Sequence, residues 1–163
     1  DGVLATNPRR WSIVLTHQPF FSPREGRDNV LLRQHLLPVI RKRKVDLVLQ
    51  GHDHVYGRLK NEAPTPVFVV SVTGAKQYRL SDEARKTMRP VAEDTQFFQV
   101  LRFDGPRLRY EARTATGRLY DAFDLVDGGA AGKQLLEHAE GRIEERTCTR
   151  GETLKGRADR CWE

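Results

Sequence analysis

The sequence predicts an α/β fold with flanking helices, which ends in an antiparallel meander and a polar tail. Residues 11–16 and 45–50 are almost continuously apolar, a pattern typical of strands buried on both faces of a parallel sheet. The segment between them carries apolar residues at roughly helical spacing, as expected for a connecting helix. After residue 95 the apolar residues recur with a period of two, which indicates antiparallel strands.

The elements before the meander are predicted from composition. Residues 29–43 are expected to be helical, and Pro38 is expected to kink or restart that helix because proline lacks the backbone N–H. Residues 66–72 are dense in β-branched side chains and predict a third buried strand. The polar stretch 76–93 is predicted to be a loop with a short helix around residues 82–86.

The meander is predicted to have three strands, separated by glycine-containing turns. They cover residues 97–103, 107–113 and 118–126. The second of these strands alternates apolar and charged side chains, so one of its faces is expected to meet water. A marginal helix is predicted over residues 133–146, within the polar tail.

Three of the five histidines lie where the two apolar strands end. His17 follows the first strand, whereas His52 and His54 follow the second after a turn at Gly51. Because ligands bind beyond the carboxyl ends of parallel strands, we expect the three imidazoles to meet at one sheet edge. In an extended segment His52 and His54 would lie about 6.6 Å apart on one face, with Asp53 pointing away. Neutral imidazole suits zinc, iron, cobalt or manganese, so the pattern favours a metal site over three ordinary loop histidines.

Two segments resemble the metal-binding blocks of a known family. Val14-Leu15-Thr16-His17 and Gly51-His52-Asp53-His54 resemble the last two such blocks of the calcineurin-like metallophosphoesterases. The purple acid phosphatase branch is the most similar, because the segments 7–11, 19–22 and 117–123 also look like that branch. The resemblance implies that His17 and His52 bind one metal and that His54 binds the other.

The resemblance covers about residues 7–126 and implies the carboxyl half of a metallophosphoesterase β-sandwich. Residues 1–127 would then be the carboxyl-terminal portion of that domain, and residues 128–163 would be a polar, partly helical tail. The family's amino-terminal blocks are missing from the sequence: an Asp-x-His or Asp-x-x block, a Gly-Asp block whose Asp bridges the metals, and a Gly-Asn-His block. We therefore expect an amino-terminal half of the same protein to supply those ligands, and we expect the chain to be inactive alone.

The activity implied by the resemblance is hydrolysis of a phosphate mono- or diester by a metal-bound hydroxide at a dinuclear site. The implied cofactors are two divalent or trivalent metal ions, which can be Fe, Zn or Mn. The histidine ligands alone do not determine which of these metals binds. A different class stays open, namely a non-catalytic or degenerate family member that acts as a structural or binding domain. The upstream sequence discriminates between the two, since only the enzyme needs the bridging Asp and the Asn ligand.

The loop after His17 differs from the purple acid phosphatases, which carry substrate-facing histidines there. This chain has Ser22-Pro23-Arg24-Glu25-Gly26-Arg27 instead. Arg24 is a candidate substrate-binding residue, because the planar guanidinium matches phosphate oxygens with two parallel hydrogen bonds. A solvated basic loop is the alternative for Arg24. It is the favoured reading for Arg27, which is expected to begin the following helix.

The chain is basic, with a net charge of +6 and a pI of about 9.6. A nucleic-acid groove needs basic side chains on one face or interleaved with stacking aromatics, and here they scatter along the sequence. The one dense run, Arg41-Lys42-Arg43-Lys44, falls at a predicted helix end, where the helix dipole favours cations. The expected partner is therefore a phosphate ester and not a nucleic acid. No apolar stretch approaches 18 residues, so no membrane-spanning helix is predicted.

Cys148 and Cys161 lie in the polar tail with twelve residues between them. A disulfide of that loop size contributes about 3 kcal/mol in the chain-entropy model. Two free thiols, or a zinc pair completed by a histidine, are the alternatives, but no Cys-x-x-Cys spacing supports zinc. A disulfide is favoured and would fit a secreted or periplasmic protein.

Overall fold

The computed structural model describes residues 1–60 and 63–148, together with the backbone of residues 153–154 and 157–158. The helices and strands of its first half are α1 (Gly2–Ala5), β1 (Ile13–Thr16), α2 (Val30–Lys42), β2 (Leu47–Gln50), β3 (Tyr56–Leu59), β4 (Val67–Val70), α3 (Asp82–Thr87) and β5 (Met88–Ala92). The second half contains β6 (Phe97–Asp104), β7 (Arg107–Thr114), β8 (Leu119–Asp127), a short 3-10 turn (Gly129–Ala131), β9 (Lys133–Glu137), β10 (Thr153–Leu154) and β11 (Arg157–Ala158).

The first sheet is mixed, with the strand order β1-β2-β4-β3-β5. Strands β1, β2 and β4 are parallel, as predicted from their apolar runs, and the predicted connecting helix is present as α2, which runs through Pro38 without restarting. Strands β3 and β5 pair antiparallel and were not predicted from the sequence. The stretch 76–93, expected to be a loop with a short helix, contains α3 as predicted but also β5.

The second sheet is the predicted meander, with the order β6-β7-β8-β9. The helix predicted over residues 133–146 is wrong, because residues 133–137 form β9 and pair with the free edge of β8. That edge offers unpaired backbone groups, and the alternation in β9 turns Leu135 toward the core and Leu136 toward solvent. The sheet therefore continues beyond residue 127. The division of the chain at that residue stays a prediction.

The main core lies between the two sheets and contains side chains from both. Its fully buried members include Leu47, Val69, Phe97, Tyr110 and Phe123. Helix α2 covers the other face of the first sheet, where Leu37 and Ile40 pack against β2 and β4. The result is a β-sandwich with flanking helices, as predicted.

Strand β1 is an edge of the first sheet, and within the described part of the chain it pairs only with β2. Its Leu15 side chain is 76% exposed, so an apolar residue faces solvent on an unpaired strand edge. Such an edge is a surface to which another strand can add.

Cys148 is disulfide-bonded, and Cys161, the other cysteine of the sequence, lies outside the described residues. Among the residues with described positions, no helix combines the length and the apolar character that crossing a membrane requires.

Candidate metal centre

His17 and His52 lie next to each other at the carboxyl ends of β1 and β2. The register of the two parallel strands aligns Thr16 with Gln50, and the Gly51 N–H then donates to the His17 carbonyl over 3.2 Å. The His52 Nδ1 is 2.7 Å from the His17 Nε2, and the rings meet edge to face with centroids 4.7 Å apart. The structure thus brings together two of the three predicted ligands.

His54 lies in the same turn but contacts different residues. Its Nδ1 is 2.8 Å from the Lys76 carbonyl, and its ring meets the ring of Tyr78 edge to face at 5.2 Å. Because a carbonyl only accepts, Nδ1 carries the proton and Nε2 keeps a free lone pair. Among the described residues, no three His, Cys, Asp or Glu side chains approach closely enough to hold a metal as they stand.

The turn that carries the two histidines is not extended. His52 has φ of 68° and His54 has φ of 54°, in the left-handed region that non-glycine residues seldom adopt. The Asp53 N–H donates to the Gly51 carbonyl over 2.8 Å, which tightens the turn. The expectation that residues 52–54 are extended was wrong. Backbone strain of this kind, about 1–3 kcal/mol per residue, persists only where the surroundings enforce it.

Asp53, between the two histidines, connects this turn to a loop that is distant in the sequence. Its side chain is fully buried and accepts a hydrogen bond from the Ser22 hydroxyl. The Arg27 Nε lies 3.1 Å from its other oxygen, an ion pair that is not aligned as a hydrogen bond. The prediction that Arg27 begins the following helix is wrong, because α2 starts at Val30. Arg27 instead connects its loop to the histidine turn through Asp53.

The surroundings of His52 favour its neutral form. Burial lowers the pKa of His52 below its ordinary value, and electrostatic interactions with Arg27 and His17 lower it further. Metal ligation requires a neutral imidazole, so this shift is in the direction that a ligand needs.

Arg24 lies beside His54, on the ring of Tyr78. Its guanidinium carbon is 3.7 Å from the ring centroid, and the Lys76 Nζ is 5.0 Å from the same centroid. A hydrogen bond from Lys76 lowers the pKa of Tyr78, and the charges of Lys76 and Arg24 add to the effect. The sequence offered no signal for Tyr78 or Lys76, because their loop has neither a motif nor a periodic pattern.

The imidazoles fit part of a metal site. Two nitrogens bound to one tetrahedral zinc, each about 2.0–2.1 Å from it, are about 3.3 Å apart. The 2.7 Å between His17 and His52 is a hydrogen-bond distance, so their rings would have to separate slightly. His54 already has the arrangement typical of a ligand, with Nδ1 on a backbone carbonyl and Nε2 free. Asp53 turns inward and provides no oxygen to the three imidazoles.

Comparisons with known proteins point to one family. The model of the calcineurin-like phosphoesterase family matches residues 1–56. Purple acid phosphatase 17 of Arabidopsis thaliana is 33% identical over 139 residues, which are 82% of this chain and 38% of that protein. Purple acid phosphatase 3 of the same plant is 29% identical over 82 residues, which are 50% of this chain and 22% of that protein. The chain thus spans less than half the length of these relatives.

A solved structure shares the fold. It is described as GAP50, the anchor in the inner membrane complex of Plasmodium, and it aligns with a TM-score of 0.60 and 17% identity over 84% of this chain and 39% of its own. The family resemblance of the histidine segments, the two-sheet architecture and the sequence relatives agree. The chain belongs to the calcineurin-like phosphoesterase family and corresponds to the carboxyl-terminal part of its purple acid phosphatase members.

Proposed function

We propose that this chain supplies the histidine ligands of a dinuclear, metal-dependent phosphoesterase that hydrolyses phosphate mono- or diesters. The observation that carries the proposal is the meeting of His17 and His52, 2.7 Å apart between ring nitrogens, at the ends of two parallel strands. That edge is where such sheets bind ligands. The purple acid phosphatase relatives support the same class of reaction.

The three histidines have distinct roles in this proposal. His17 and His52 bind one ion, and His54 binds the other through Nε2, while its Nδ1 stays on the Lys76 carbonyl. The lowered pKa of His52 favours the neutral ring that metal ligation needs. When bound, a pair of Fe, Zn or Mn ions activates water and neutralises charge on the phosphoryl group. Arg24 contacts the phosphate oxygens of the substrate.

An amino-terminal half of the same protein completes the site. Imidazoles are uncharged ligands, and two cations held close together need carboxylates, which the inward-facing Asp53 does not provide. The exposed edge of β1, with Leu15 facing solvent, supports docking of a further strand from that half. The chain is therefore expected to be inactive alone.

A non-catalytic scaffold is the second candidate. The structural neighbour is described as an anchor in a membrane complex, so the same fold occurs in a protein with a structural role. The direct hydrogen-bond distance between His17 and His52 also fits a pair that holds no metal. In that case the upstream sequence would lack the bridging Asp and the Asn ligand.

The test uses a protein that joins residues 1–163 to an amino-terminal half carrying those ligands. Metal content and hydrolysis of generic phosphate mono- and diesters are measured for His17→Ala, His52→Ala and His54→Ala. We expect the first two variants to lose the same metal, the third to lose the other, and all three to lose turnover. His35→Ala is the matched control, because His35 is an exposed residue of α2. Full metal content and normal rates in any of the three variants would refute the assignment.

A further inference from the structure

We infer that Arg24 and Lys76, held on the ring of Tyr78, form a binding site for a phosphoryl oxyanion beside His54. The Arg24 guanidinium carbon lies 3.7 Å from the ring centroid, and the Lys76 Nζ lies 5.0 Å from the same centroid. The Tyr78 ring contacts His54 directly, with centroids 5.2 Å apart. The two cations therefore flank the same aromatic ring, immediately next to a proposed metal ligand.

Both cations keep donors for an anion. A guanidinium stacked on an aromatic face leaves its in-plane N–H groups free, and these match two oxygens of a phosphate. Lys76 is exposed, and its ammonium has three N–H donors for an anion. Tyr78 acts as a positioning residue, since its ring contacts both side chains.

The charge at this place is uncompensated within the described residues. Neither Arg24 nor Lys76 forms an ion pair there, whereas the neighbouring Arg27 is paired with the buried Asp53 at 3.1 Å. Two cations on one ring repel each other, and a bound anion converts that repulsion into attraction. Clamps of Arg and Lys on a phosphoryl group are a recurring way to stabilise its charge.

The backbone holds the site in shape before a ligand arrives. Residues 24 and 80 form a β-bridge, and the Glu25 N–H donates to the Arg79 carbonyl over 3.1 Å. The Ser81 N–H donates to the Pro23 carbonyl over 2.9 Å, so the two loops are joined at several points. Such preorganisation lowers the entropy that binding costs. The site's role as a substrate subsite rests on the proposed phosphoesterase function, but its affinity for an anion does not.

The experiment titrates inorganic phosphate into the metal-free chain of residues 1–163 at constant ionic strength. The tyrosine rings are labelled with carbon-13 and followed by NMR. The sequence has four tyrosines, and Tyr56, Tyr110 and Tyr120 are buried, which leaves Tyr78 as the partly exposed reporter. We expect a saturable shift of the Tyr78 signal with a Kd on the order of 1 mM.

Matched variants locate the binding. Arg24→Met and Lys76→Met are each expected to weaken phosphate binding roughly tenfold, because each removes a charge-assisted contact. Arg118→Met and Lys86→Met remove exposed cations elsewhere and are expected to leave the Kd unchanged. A Tyr78 shift that does not saturate, or equal affinity in the Arg24 and Arg118 variants, would overturn the inference.

Two further variants test the positioning role of the ring, with binding measured from the phosphorus NMR signal of phosphate. Tyr78→Phe keeps the face on which Arg24 stacks and is expected to retain most of the affinity. Tyr78→Leu removes the face and is expected to bind as weakly as Arg24→Met. Equal affinity of the Leu and Phe variants would contradict the role of the ring. None of these readouts needs metal or turnover, so the proposed function and this site can fail independently.

Discussion

Arg58 on β3 pairs with Asp121 on β8, and both side chains are buried in the interior of the sandwich. The guanidinium donates to both oxygens of Asp121, over 2.8 and 3.1 Å, and also to Glu137 on β9. Burial alone would lower the pKa of Arg58, but the bonds to Glu137 and Asp121 outweigh it and raise the pKa. This cluster ties the sheet that carries the histidines to the meander.

Arg58→Met is expected to destabilise the chain by about 3–5 kcal/mol, because it leaves the buried carboxylate of Asp121 without its main partner. Arg142, 3.5 Å from Asp121, remains and favours the lower end of that range. The free energy of unfolding is measured by urea titration. Arg10→Met is the control, since Arg10 pairs with Asp127 at the surface and its loss should cost at most about 1 kcal/mol. Similar losses in both variants would contradict a structural role for the buried pair.

The sequence predicts some strands of the fold but not others, and strand β3, which carries Arg58, is among those that it does not predict. Strands β1, β2 and β4 were predictable because both of their faces are apolar, and the meander was predictable from its alternation. Strand β3 was not, because Gly57 and Arg58 are poor strand signals and the charge of Arg58 is satisfied only by distant residues. The composition of residues 133–137 predicts a helix and not strand β9, because the pairing of β9 depends on the edge of β8.

Asp124 makes the stability of the meander sensitive to acid. Burial would raise the pKa of Asp124, but hydrogen bonds from Arg109 and His138 outweigh it, and the net pKa lies below the ordinary value of 3.8. A carboxyl whose folded-state pKa is depressed stabilises the fold above its unfolded pKa. That stabilisation is lost as the pH falls below about 4.

Asp124→Asn is therefore expected to lose about 1.5–3 kcal/mol at neutral pH, the contribution of hydrogen bonds to a charged group. The variant should also show a smaller decline in stability below about pH 4 than the parent chain. Urea unfolding at a series of pH values measures both effects. Asp104→Asn, at an exposed strand end, is the control and should leave the acid decline intact. An unchanged decline in Asp124→Asn would show that other groups cause it.

The exposed edge of β1 predicts self-association of the chain. Leu15 is 76% exposed on a strand whose outer backbone groups have no partner strand within the described residues. A lysine on an edge strand opposes pairing with another chain, so Leu15→Lys is expected to shift the chain toward monomer. Sedimentation velocity measures the change. Leu31→Lys adds the same charge at a residue 70% exposed on α2 and should have little effect. Equal shifts in both variants would indicate a general effect of charge.

The candidate site was predictable only in part. The meeting of His17 and His52 followed from two apolar strands that end at one sheet edge. The shape of the histidine turn did not, because positive φ at His52 and His54 is held by contacts of Asp53 with a loop about 30 residues earlier. No local pattern in Gly51-His52-Asp53-His54 reveals such a tertiary contact.

Asp53→Asn is expected to disturb the site through this turn. The side chain keeps its size but loses the charge that Arg27 and Ser22 contact in a buried position. Breaking a buried pair costs about 3–5 kcal/mol, and loss of an orienting contact costs about 10–100-fold in metal affinity. The first effect is measured by unfolding of the chain, and the second by metal titration of the protein joined to its amino-terminal half.

Ser22→Ala tests whether the effect runs through the loop. It removes one hydrogen bond to Asp53 but leaves the carboxylate and Arg27 in place. We expect a smaller loss of stability than in Asp53→Asn, about 1.5–3 kcal/mol. The double variant Ser22→Ala/Asp53→Asn should lose less stability than the sum of the two single losses, because the two side chains share one interaction. Strict additivity would mean that Asp53 acts independently of Ser22. Parent-like stability and metal affinity in Asp53→Asn would show that the left-handed turn of His52 and His54 does not depend on this carboxylate.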